Sequence, residues 1–168
     1  MDNREVSSSG ITLKDLAWCA GIKDGLKFMA PNERLAKAYL DESKSSLDRA
    51  EKTLNDGDLL WATVVIYYAE YYALYSFLQR IGIKCGNHHC SILAVGKLLG
   101  HEKTETINRH KDKRINAQYY IRAGREDEVK LMLKDAKSFV SEFDELTSQL
   151  GTKEVDAYRT RLNGFIND

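Results

Sequence analysis

Apolar residues recur every three or four positions along most of this chain, in long segments free of glycine and proline, the spacing that lines one face of an α-helix. From Asn32 to Asn55, Leu35, Ala38, Tyr39, Leu47, Ala50 and Leu54 keep that period among charged residues. They predict an amphipathic surface helix, with Asn32 after Pro31 as its N-cap. Asp58 caps the next segment, Leu59 to Ile81, which is apolar or aromatic nearly all round and holds five of the nine tyrosines. That pattern predicts a central, buried helix. Gly82 to Asn87 reads as a turn, His88 to Leu99 as a shorter helix, and Thr104 to Ile121 as a basic helical segment. After Gly124 the set Val129, Met132, Leu133, Ala136, Phe139, Val140, Phe143, Leu146 and Leu150 gives the strongest amphipathic signal, and the tyrosine-rich helix is the obvious surface for it to cover. Short helices are expected from Thr152 to Ile166 and within Ile11 to Phe28. The glycines between these segments punctuate helix ends. Four main helices joined by short turns predict an all-α fold, an antiparallel bundle with extra short terminal helices. The expected divisions are an N-terminal extension over 1–30, the bundle over 31–150 and a short C-terminal helix over 151–168.

Composition narrows the function classes. The 168 residues carry 25 Lys and Arg against 25 Asp and Glu, so the chain does not coat a polyanion with its whole surface, and any such site is local. Three cysteines, an odd number, suggest a reducing compartment rather than a disulfide framework. Met1 to Gly10 lacks the apolar run of a signal peptide, and the expected location is the cytoplasm. The 23 residues Leu59 to Ile81 invite a transmembrane reading, but Glu70 at their middle and the tyrosine hydroxyls would lack partners in lipid.

Two stretches hold candidate chemistry. Cys85, His88, His89 and Cys90, in CGNHHC, are all zinc ligand types, but the spacing is not a standard one and no second knuckle accompanies it; a helix entrance is the plainer reading, and no metal or other cofactor is expected. Arg109 to Arg125, RHKDKRINAQYYIRAGR, sets six basic residues against one acidic, a net +5 flanked by acidic stretches. Arginine grips phosphate through two parallel hydrogen bonds, and Tyr119 and Tyr120 offer faces for base stacking. A solvated basic face balancing the acidic helices fits the same residues. On a helix, His110 and Arg114 lie about 40° apart, close enough to share a site, whereas Arg114 and Tyr119 lie about 140° apart. An imidazole acid/base beside a guanidinium is the minimum for RNA cleavage without metal. P-loop, dinucleotide-binding and zincin motifs are absent. Glu70, the one carboxylate of the buried helix, needs a hydrogen-bonding partner there.

The order of SSLDRAEKTLNDGD, WATVVIYYAEYYALYSFLQRIG, GNHHCSI, RINAQYY and EVKLMLKDAKSFVSEFDEL, roughly residues 43–146, resembles the HEPN domains, small helical nucleotide-binding bundles. The resemblance implies an up-and-down four-helix bundle, a two-fold homodimer, and in many members an R-x4-6-H motif that cleaves RNA at the dimer cleft. It also implies a minimal nucleotidyltransferase as partner in a toxin–antitoxin pair. Arg114 matches the motif's arginine, but Tyr119 stands five residues on and no histidine follows His110. A phenol is a poor proton acceptor at neutral pH. The leading expectation is therefore a nucleotide- or RNA-binding protein with a degenerate motif, using Arg109, Lys113, Arg114, Asn116, Tyr119, Tyr120 and His89. The alternatives are a metal-independent endoribonuclease with Arg114 and His110 as its catalytic pair, and a non-catalytic helical interaction module.

Overall fold

The computed structural model describes residues 13–167. The order of elements is α1 (Leu13–Gly21), β1 (Lys27–Phe28), α2 (Glu33–Asn55), α3 (Leu59–Arg80), β2 (Ile83–Lys84), α4 (His88–Leu99), α5 (Glu105–Tyr120), α6 (Glu126–Ser148) and α7 (Thr152–Asn167). A single 3-10 turn, His101–Thr104, leads into α5. The fold is all-α, an up-and-down bundle of α2, α3, α5 and α6 in which α3 touches the other three.

Local chemistry places the helix ends where the sequence predicts them. Asn32 Oδ1 accepts from the Leu35 amide at 2.9 Å and Asp58 Oδ1 from the Trp61 amide at 3.1 Å, satisfying amides that the first turn leaves without helical partners. The apolar all-round character of α3 follows from its position: Ile66, Tyr67, Ala69, Glu70, Ala73, Leu74, Phe77 and Leu78 are all fully buried. One core cluster joins α3 to α4, Phe139, Val140 and Phe143 of α6, Leu16 and Cys19 of α1, and Val155 and Leu162 of α7. A smaller one closes the far end of the bundle through Ala50, Leu54, Ala62, Val129, Met132 and Leu133.

The short helix expected within Ile11 to Phe28 is α1, and two other expectations are corrected. After α1 the chain runs into β1, which pairs antiparallel with β2, Lys27 opposite Lys84 and Phe28 opposite Ile83. The stretch Gly82 to Asn87 is accordingly part strand. Gly82 sits at φ +75° against the Met29 carbonyl, where a Cβ would lie 2.5 Å from that oxygen, so only glycine fits. The Arg159 guanidinium of α7 donates to the carbonyls of Met29, Ile81 and Gly82, tying α7 to this corner. Finally, the cysteines do form a bridge: Cys19 of α1 is disulfide-bonded to Cys90 of α4, 71 residues apart, and both are fully buried. An odd count hides one pair plus a single buried thiol, Cys85. The expectation drawn from Met1 to Gly10 lies outside the described residues. None of the described helices is long and apolar enough to cross a membrane.

Candidate functional site

Helix α5 carries the basic run across the face of α3, and its residues divide by helical angle into groups with different neighbours. Ile107, His110 and Ala117 turn inward and are buried. His110 Nδ1 lies 2.7 Å from Glu70 Oε1, with the two side chains 3% and 0% exposed. Burial pushes the Glu70 carboxyl above its ordinary range while His110 opposes that shift. The partner that Glu70 requires is thus a histidine 40 residues away, and His110 is enclosed by the core rather than open to a substrate.

Arg114, one turn further, shares that face but is only partly covered. Its guanidinium carbon lies 4.8 Å from the centre of the Tyr67 ring, one Nη donates to Gln118 Oε1 at 3.3 Å, and the buried Nε has no hydrogen-bonding partner. A flat cation over an aromatic face is held in place by that contact. Beside Tyr67 stands His88, the first residue of α4. Its Nδ1 is 2.9 Å from the Tyr67 hydroxyl, and its ring stacks on Tyr71 at 3.7 Å between centroids and 13° between planes. Tyr68 meets the same imidazole edge-on. Tyr71 is anchored in turn by a 3.0 Å hydrogen bond to Ser91.

This aromatic box sets the protonation of His88. Burial first, then the charges of Arg114 and Lys111, bring its pKa down to about 4, so the ring is neutral at pH 7. Burial holds the Tyr67 phenol protonated well above its ordinary pKa. The Tyr67 hydroxyl and His88 Nδ1 hold each other in one hydrogen bond, which fixes the orientation of the neutral imidazole. Lys111, half-buried beside this group, is itself shifted below the ordinary lysine value by desolvation.

The linkage has a measurable sign. A neutral buried histidine stabilises the fold above the unfolded-state pKa of 6.5, and that contribution is lost as pH falls toward about 4, because the unfolded chain takes up a proton that the folded ring resists. Urea midpoints followed from pH 7 to pH 4 should fall more steeply for the wild type than for His88→Gln; parallel curves would remove the neutral imidazole from this description.

The remaining predicted residues sit elsewhere. Arg109 is exposed and faces Asp135 of α6 at 3.8 Å, and Arg125 pairs with Asp127 at 3.1 Å, so the acidic helix offsets two of the six charges. Lys111, Lys113, Arg114 and Arg122 have no ion-pair partner among the described residues. Lys113 and Asn116 lie on the opposite flank of α5 from His88, around a separate cavity. Tyr119 and Tyr120, 66% and 64% exposed, point into solvent at the end of α5, and Tyr119 does not enter the Arg114 group. His89 is exposed at the rim. The CGNHHC residues are dispersed, since Cys90 is in the disulfide, Cys85 Sγ faces the Asn87 carbonyl at 3.3 Å, and no cluster of three metal-ligating side chains occurs among the described residues.

Sequence reasoning missed Tyr67, Tyr71 and His88. Tyr67 and Tyr71 belong to a helix that reads as apolar nearly all round, and nothing in that pattern marks Tyr67 as the bed of an arginine or Tyr71 as the bed of an imidazole. His88 could not be told from His89, because Cys90 to Gly96 are all buried and the apolar spacing marks no single face of α4.

No curated protein matches this chain in sequence. A family model described as the HEPN domain matches residues 36–146, from within α2 almost to the end of α6, and so takes in Tyr67, Tyr71, His88 and Arg114. The chain belongs to the HEPN domain family, whose membership points to nucleotide or RNA binding or to ribonuclease-type action.

Proposed function

We propose that this protein binds the phosphates of a nucleotide or of single-stranded RNA at the Arg114 group and does not cleave them. The observation that carries the proposal is the guanidinium laid over Tyr67 with its Nε unpartnered, beside a histidine that is already neutral. Arg114 supplies a planar fork for phosphate oxygens, Lys111 a second charge, and His88 an uncharged polar wall. Cleavage without metal needs a group that takes a proton and another that gives one near neutral pH. His88, with a pKa of about 4 and its Nδ1 engaged by Tyr67, is poorly suited to either task, and His110 is buried against Glu70. Pairing of two copies about a two-fold axis, with the two Arg114 groups facing one cleft, and association with a nucleotidyltransferase-type protein in a toxin–antitoxin system belong to the same proposal; they rest on the family.

The test is to incubate the full chain with end-labelled single-stranded RNA in EDTA and to read retention and integrity together. RNA that is retained and intact is the expected result, with retention reduced about tenfold or more in Arg114→Ala, the scale of losing a hydrogen-bonded charge pair. RNA cut by the wild type but not by His88→Ala would overturn the binding-only reading in favour of a ribonuclease.

A further inference from the structure

Across α5 from Arg114 lies a cavity of about 210 Å³ walled by α5, the 121–125 connection and the first turns of α6. Its floor is apolar, made by Val129 and Met132, each 2% exposed. Its rim carries Lys113 and Arg122, neither of which has an ion-pair partner among the described residues, together with the Asn116 side chain. Glu128, the acidic residue of the lining, is committed elsewhere: its Oε2 accepts from the Arg125 amide at 3.0 Å and its Oε1 lies 3.7 Å from the Arg125 guanidinium. The connection that forms one wall is held at some conformational cost. Ile121, a β-branched residue, adopts φ 54° and ψ 39°, and the Arg122 amide donates to the Asn116 carbonyl at 3.0 Å. A left-handed conformation is costly for a β-branched residue, and such strain collects where a loop is shaped for a ligand.

We infer that this cavity is a second binding site, for a phosphomonoester with a small apolar body. A monoester carries close to two negative charges near neutral pH, against one for the linking phosphate of a strand, and two unpaired cations match the former. Arg122 offers a fork and Lys113 a point charge for its oxygens. The apolar part lies on Val129 and Met132, and the Asn116 amide stands at the edge. The same chemistry is found in a free small phosphate ester and at the 5′ end of a nucleic-acid strand. The site uses different side chains from the Arg114 group and stands if that reading fails.

The test follows the backbone amides of Arg122, Ala123 and Gly124 by NMR in the isotope-labelled full chain. Phenyl phosphate should move them saturably and at lower concentration than inorganic phosphate. Lys113→Ala and Arg122→Ala should each weaken that response about tenfold or more, whereas Arg114→Ala, which lowers RNA retention, should leave it in place. A short RNA with a 5′ phosphate shifting these amides when its 5′-hydroxyl counterpart does not would assign the strand end as the source; a response to phenyl phosphate alone would assign the free ester. Unmoved amides at millimolar phenyl phosphate, an equal response to inorganic phosphate, or an unchanged response in Lys113→Ala/Arg122→Ala would overturn the inference.

Discussion

Replacing His110 with alanine is expected to cost about 3–5 kcal/mol of folding stability, the penalty for leaving one member of a buried pair alone. The Glu70 carboxyl is fully enclosed, and its Oε2 already has no hydrogen-bonding partner, so removing His110 would strip the other oxygen of its neighbour as well. Glu70 would then remain in the core without the neighbour that chiefly offsets its desolvation. The double variant Glu70→Met/His110→Leu, which removes both polar members and keeps the volume, should recover most of that loss. Urea denaturation of the two single variants and the double one completes the cycle. A His110→Ala change no larger than a surface substitution would contradict the reading of this pair as a structural element of the bundle.

The second large effect concerns the link between α1 and α4. Cys90→Ala breaks a bridge that spans 71 residues, and the chain-entropy relation for a loop of that length gives about 4 kcal/mol. In a domain of this size the loss corresponds to a fall in Tm of about 8–16 °C. The effect should reach the candidate site, because Cys90 is two residues from His88 and fixes the entrance of α4 against α1. Thermal unfolding of Cys90→Ala and of Cys19→Ala should agree with each other, since either change removes the same bond. A loss under about 1 kcal/mol in both would mean that the bridge does not constrain the unfolded chain.

Much of this architecture is legible in the order of residues, for identifiable reasons. Helices α2, α3 and α6 are long enough for a period of 3.6 to declare itself, and Asn32 and Asp58 accept the amides that sequence assigns them. The strands escape because two residues carry no period, and their pairing joins segments more than fifty residues apart. The bridge escapes for a related reason: Cys19 and Cys90 lie on different helices, and a count of cysteines says nothing about which of them meet in space. Within the site, Arg114 is legible through the family resemblance. The setting that gives it chemical meaning is not, since it needs Tyr67 from α3 and His88 from α4 beside one residue of α5. The basic run is legible as charge yet misleading as a single surface: α5 turns His110 inward, sends Arg114 and Lys113 to opposite flanks, and leaves Arg109 against Asp135.

The most direct test of the Arg114 group is the affinity for a labelled single-stranded RNA measured as a function of salt, for the wild type and for Arg114→Glu. The account predicts that the wild type binds with log affinity falling linearly with log salt, and that Arg114→Glu binds far more weakly with a slope shallower by at least about 0.7, one lost phosphate contact. Superimposable curves for the two proteins would contradict it.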